Sequence, residues 1–312
     1  MQKNKITDKS NLAMAPFNEE LSAEERARIV GKTSELMLNI ATHVICHTLV
    51  DHQDLLSDER LSVAHAFLQR ATSTHLCNHK LTTEGLVYEY KGVPFELHEE
   101  FRTMTLTRSV YEFLVMFYFI FDHPKTEEQR DIVWNYWLIN SRKNLLDSAA
   151  RGDRQALNDQ KRILSEIEQL RNGIAKTETG SRCWEKLDLW TKPSSPGQGG
   201  CLQFIEKDGR CDVRRVSYSQ AWRFLYHDRE MTLLYNYLSM HCHPVYDGLR
   251  QYLQQTDEEN EQEVGYPLYF SCCFLAHLCR LFLKLIPDGE TIVAREFSSQ
   301  DQLLFQALSH IR

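Results

Sequence analysis

Residues 99–121 read EEFRTMTLTRSVYEFLVMFYFIF, and Asp122-His123-Pro124 follows as a stop. This is the most apolar helical stretch of the chain. A helix that is apolar all round belongs in a core, so this one is expected at the centre of the fold. Val110–Phe121 is too short to span a bilayer and carries Glu112; Gly265–Ile286 is interrupted by His277, Arg280 and Lys284. Both therefore read as buried helices, and no membrane partner is expected.

Working toward the N-terminus, Ser22 and Glu25 form a Ser-x-x-Glu capping box. It opens a helix expected to run to about Leu56, with Ile29, Leu36, Ile40 and Val44 on its apolar face. Asp58 caps a second helix through Leu61, Ala64, Leu68 and Thr72, ending near His79. Leu86, Val87, Tyr88 and Tyr90 suggest a short strand before a Lys91-Gly92 turn and Pro94.

Toward the C-terminus, Thr126, Glu127 and Glu128 start a helix over Ile132–Asp147 that carries Trp134 and Trp137. Gly152 and Asp153 break it. Arg154–Ile174 reads as a charged amphipathic helix with Leu157, Ile163, Leu164, Ile167 and Leu170 as its stripe. Thr191–Gly200 is loop-like, and Leu202–Glu206 with Cys211–Val216 flank Asp208-Gly209, a hairpin signal. Ser217 or Ser219 caps the next helical region, followed by helices over Met231–His243, Val245–Gln254 and Leu268–Ile286. A short helix near Gln300–His310 ends the chain. Asp257–Glu263 is acidic. The expected fold is mostly α, a multi-helix bundle with a small β-hairpin or loop insertion. Residues 1–20 read as a polar tail, and 21–312 as one helical domain with an excursion at 180–216.

The composition fits an ordinary folded protein of 312 residues, 42% hydrophobic and 25% charged. The net charge of −7 argues against broad nucleic-acid binding, which rests on basic surfaces. Arg210, Arg214 and Arg215 form the one short basic stretch. Nine cysteines without Cys-x2-Cys spacing suit a reducing cytoplasm, and Cys46, Cys272, Cys273 and Cys279 read as small hydrophobes in helices. Met1–Glu20 carries Lys3, Lys5 and Lys9 without an apolar run, so no signal peptide is expected there.

Two polar stripes interrupt the apolar helices. Arg108 and Glu112 are four residues apart and can pair on one helix face. Tyr235, Ser239 and His243 fall at i, i+4 and i+8 on another helix. Together they form the candidate site for a small polar ligand or protein partner; the same residues could instead serve as a structural lock. The segments Leu106-Thr107-Arg108-Ser109-Val110-Tyr111-Glu112 and Tyr235-Asn236-Tyr237-Leu238-Ser239-Met240-His241-Cys242-His243 resemble a bacterial domain-of-unknown-function family. Its helical members carry an Arg-x3-Glu helix and, downstream, a Tyr-x3-Ser-x3-His helix. The resemblance covers roughly residues 30–285. It implies a helical fold and a shared polar cluster, with no established reaction.

Histidines supply two further candidates. His43 and His47 share one helix face with Asp51 a turn on, and His75 and His79 share another. Two such helices could chelate a metal. Hydrogen-bonded neutral imidazoles are favoured instead, so no metal and no cofactor are expected. Arg70 and His75 have the Arg-x4-His spacing that resembles HEPN-type ribonucleases. This is the alternative function, metal-independent cleavage of RNA.

Overall fold

The computed structural model describes residues 21–85, 87–96, 100–149, 154–194, 201–207, 210–226, 229–242 and 265–310. The described chain is mostly helical, as the apolar periodicities predict. By its contacts the chain divides into two compact units, Val115–Phe224 and the remainder, so the cut falls within one helix. The sequence reading treats 21–312 as one domain. The expected tail, the Val245–Gln254 helix and the acidic 257–263 stretch lie outside the described residues.

In the first unit, helices α1 (Ala23–Asp51), α2 (Glu59–Glu84) and α10 (Gly265–Leu283) pack on one another. Ser22 accepts from the Glu25 amide, and the Glu25 carboxylate accepts from the Ser22 amide, so the capping box forms. The buried positions of α1 are Val30, Thr33, Ser34, Met37, Ile40, Ala41, Val44 and Thr48, and those of α2 include Ala64, Leu68, Ala71, His75 and Asn78. Within these, Val30, Ser34, Met37, Ala41, Val44 and Thr48 on α1 and the named α2 row alternate steps of four and three, the spacing of a knobs-into-holes seam. Of the expected α1 face, Ile40 and Val44 are buried and Ile29 and Leu36 half-buried at its edge; Ser34 and Thr48 occupy further core positions that a purely apolar reading skips. Helix α1 ends at Asp51, short of Leu56. Helix α2 runs past His79 to Glu84, where Gly85 adopts φ +66° as its cap.

The most thoroughly buried described helix is α10, with both ring and aliphatic side chains shielded on every side. It, rather than the 99–121 stretch, holds the centre of this unit. That stretch forms α3 (Glu100–Phe117) and then widens into a π-turn at Tyr118–Asp122. Arg102–Asp122 and Gly265–Leu283 are both long and apolar enough to cross a membrane by length and composition. However, 78% of the Gly265–Leu283 window is buried inside the protein. Between α2 and α3, β1 (Val87–Tyr90) and β2 (Val93–Glu96) pair antiparallel around Lys91-Gly92. Both turn residues have positive φ, 54° and 78°, the backbone of a two-residue hairpin turn. Helices α11 (Gly289–Glu296) and α12 (Ser299–Leu308) close the chain.

In the second unit, α4 (Glu127–Ala149) packs along α5 (Arg154–Ala175). Ile163 and Ile167 of the expected α5 stripe are buried, but Leu164 is exposed because it lies a third of a turn from that face. Helices α6 (Glu178–Arg182) and α7 (Trp184–Thr191) follow. The buried Lys143 ammonium donates to the Trp190 carbonyl over 2.7 Å, tying α4 to α7. The expected hairpin forms from β3 (Cys201–Lys207) and β4 (Arg210–Val216), in register from Cys201↔Val216 to Lys207↔Arg210. Ser217 caps α8 (Tyr218–Leu225), and α9 (Arg229–Cys242) returns the chain to the first unit.

Candidate functional site

The two motif helices meet where Arg108 and Tyr111 approach Tyr235. Arg108 Nε donates to Glu112 Oε1 over 2.9 Å, and the guanidinium carbon lies 5.8 Å from the Tyr235 ring centre. The Tyr235 ring also packs 5.2 Å from Tyr111, which in turn meets Phe274 of α10 at 5.5 Å. One turn after Tyr235, the Ser239 Oγ is buried and has no hydrogen-bond partner among the described residues. His243 lies outside the described residues.

The pair is less buried than its apolar neighbours suggest. Arg108 and Glu112 side chains are 20% and 35% exposed. The core face of α3 carries Thr107, Val110, Tyr111 and Leu114, and positions 108 and 112 sit about 100° round the helix from 107 and 111. Glu112→Ala is therefore expected to cost about 1 kcal/mol, the upper range for a partly solvated pair. Arg70→Ala, at an exposed site, should stay within about 0.5 kcal/mol of wild type. Denaturant midpoints of the two variants measure the difference.

The deepest polar group lies elsewhere. His75 is fully buried between Ser34 Oγ, 3.0 Å from Nε2, and Ser271 Oγ, 2.7 Å from Nδ1. Ser34 Oγ is also 3.0 Å from Nδ1 of the part-exposed His79, and the Cys272 thiol lies 4.0 Å from His75 Nε2. Burial, and next the neighbouring His79, push the His75 pKa down to about 3. The ring is thus neutral at ordinary pH, with one nitrogen donating and the other accepting. Three residues on, the buried Asn78 donates to Thr107 Oγ1, which donates to the Pro267 carbonyl, each over 2.8 Å. These contacts link α1, α2, α3 and α10. Buried Cys272, Cys273 and Cys279 keep their thiols protonated, because burial raises all three pKa values. Cys46, read as a core residue, is exposed at the back of α1.

A groove of about 810 Å³ borders this cluster, lined among others by Gly31, Glu35, Thr82, Thr83 and Leu268. Thr83 Oγ1 donates to the His79 carbonyl, placing the outer end of the serine–histidine chain one helical turn from the groove.

The two histidine pairs of α1 and α2 do not converge on one point. His75 and His79 bond serines. His43 stacks on His47 with ring centres 6.3 Å apart, and His47 instead approaches His52 and Asp288. Arg70 is exposed while His75 is sealed in the core, so the Arg-x4-His pair shares no surface. The basic stretch is engaged in part: Arg214 bonds Gln203 and lies 5.5 Å over Phe224, and Arg215 lies 5.9 Å over Trp190.

A family model described as a family of unknown function (DUF5677) matches residues 102–262, about half of the chain. Both polar motifs fall inside that span, which is narrower than the 30–285 expected. No curated protein and no solved structure matches.

Proposed function

The chain belongs to the DUF5677 family of unknown function, and from that premise we propose that it is a binding module. Its site is the cluster of Arg108, Glu112, Tyr235 and Ser239, and its ligand is a small polar molecule. The observation that carries this reading is the buried Ser239 hydroxyl, which has no partner among the described residues. Such a group costs about 1–3 kcal/mol unless something satisfies it. A ligand that hydrogen-bonds Ser239 and the part-exposed Glu112 carboxylate would remove that cost, and the Tyr235 ring would form an apolar wall beside it.

Ser239→Ala tests the proposal with two opposite responses. The ligand-free variant is expected to be as stable as wild type or more so, because an unsatisfied hydroxyl becomes a methyl group. Compounds from a panel of small polar metabolites that raise the wild-type melting temperature should lose that effect in Ser239→Ala and Glu112→Gln. Equal responses in wild type and both variants would move the ligand elsewhere, and a wild type that no compound stabilises would leave the cluster a structural lock. The ribonuclease alternative draws no support from the geometry, since an RNA phosphate cannot touch Arg70 and the sealed His75 at once.

A further inference from the structure

At the end of α1, His47 and His52 gather around Asp288, which lies in the turn between α10 and α11, and Asp51 flanks His47. His52 Nε2 is 2.7 Å from Asp288 Oδ1, and His47 Nε2 is 3.3 Å from Asp288 Oδ2. On its other side, His47 Nδ1 is 2.7 Å from Asp51 Oδ2. One ligand atom from each of His47, His52 and Asp288 falls within 4.8 Å of the other two. We propose that these three residues bind one zinc-class divalent transition-metal ion, with Asp51 orienting His47 and a coordination position left to solvent.

The arrangement asks for a cation. Both nitrogens of His47 face carboxylates, yet a neutral imidazole has a single donor. With its proton on Nδ1 toward Asp51, the ring turns the Nε2 lone pair toward Asp288 and His52, the position of a metal ligand. Asp288 also occupies the N-cap of α11 but makes no side-chain cap bond, although aspartate is a favoured capping residue. Its carboxylate is turned toward the two histidines instead. Asp51 against Nδ1 is the outer contact that fixes the tautomer and direction of metal-bound imidazoles.

Two imidazoles and a carboxylate suit zinc or a similar transition ion better than calcium or magnesium, which take oxygen ligands. Around a tetrahedral ion with bonds of about 2.0–2.1 Å, neighbouring donor atoms are about 3.3–3.5 Å apart. The present spacings to Asp288, 2.7 and 3.3 Å, lie close to these values, so side-chain rotation alone would adjust them. Side-chain exposures of 18%, 17% and 29% leave room for water, and the α1 carboxyl end adds a favourable dipole. Arg295 approaches Asp288 Oδ2 only at 3.8 Å and is itself well exposed, so it can yield. All three ligands lie outside residues 102–262, so the site is independent of the proposed ligand cluster.

Isothermal titration of the chelator-treated full chain with zinc chloride tests the proposal. One ion per chain is expected to bind, and zinc should raise the melting temperature. His52→Ala and Asp288→Asn should abolish both signals, while Asp51→Asn, which touches no ion, should weaken binding about 10–100-fold. His43→Ala should bind as wild type does. Circular dichroism without zinc establishes that each variant folds, and His52→Gln replaces His52→Ala if the latter does not. Zinc affinity unchanged in His52 and Asp288 variants, or a wild type with neither heat nor melting shift, would overturn the site.

Discussion

Acidification from pH 6.5 to about 4.5 is expected to cost the protein about 2 kcal/mol of stability through His75 alone. The folded-state pKa is about 3, against an ordinary value of 6.5. Between these values the unfolded chain binds one more proton than the folded one, so stability falls as the pH falls, by about 1.4 kcal/mol per pH unit. Above pH 6.5 both states are neutral at this ring and its contribution is constant. His75→Gln keeps hydrogen-bonding capacity and does not titrate. Urea midpoints across the range should therefore show the wild type losing stability more steeply than the variant by about one proton, with parallel behaviour above pH 7. Parallel curves throughout would mean that the ring reaches water in the folded state.

The second large effect is expected at Gly289. A Cβ there would stand 1.9 Å from the Leu283 carbonyl oxygen and 2.7 Å from its carbon. Backbone must move to admit it, so Gly289→Ala should cost about 2–3 kcal/mol, the range for forced overpacking. Asp288 is its neighbour, so the same shift should weaken the contacts to His47 and His52. Gly31 is the control. Its Cβ would meet only Thr83 Cγ2 at 3.8 Å, and α1 is helical there. Gly31→Ala should be stabilising by about 0.5–1 kcal/mol. Thermal melts of the pair decide whether the Leu283–Gly289 approach is as tight as drawn.

Much of the fold is legible in the chain because its signals are local. The Ser22–Glu25 box, the Asp58 cap and the strands flanking Asp208-Gly209 depend on residues a few positions apart. The phase of the helices was harder to read. On α2 the core row runs Ala64, Leu68, Ala71, His75, Asn78, and a reading that accepts only apolar residues stops at Ala71. The unbroken four-three spacing is the signal that His75 and Asn78 are core residues, while Gly85, with its positive φ, marks the end of the helix.

The candidate sites divide in the same way. Arg108 and Glu112 pair as their i,i+4 spacing predicts, and their helix meets Tyr235. Their partial exposure follows from a rotation of about 100° relative to the core row, which neighbouring residue types do not reveal. The grouping of His47 with His52 and Asp288 is set by the turn after α10, and no local spacing encodes it. Ser34 and Ser271 likewise become partners of His75 only through packing of three helices distant in sequence.

The serine–histidine chain in the core can be written in two directions. In one, Ser271 donates to His75 Nδ1, His75 Nε2–H to Ser34, and Ser34 to His79 Nδ1; in the other, every proton is reversed along the same contacts. The heavy atoms are identical in both, so diffraction would not separate them, whereas nitrogen-15 chemical shifts would. Each reversal flips the tautomers of His75 and His79 together. The part-exposed His79 therefore displays, as a hydrogen or a lone pair on Nδ1, the orientation of the Ser271 hydroxyl three contacts away along the chain. The core thus holds a two-valued setting that can be read from outside without any atom heavier than hydrogen changing place.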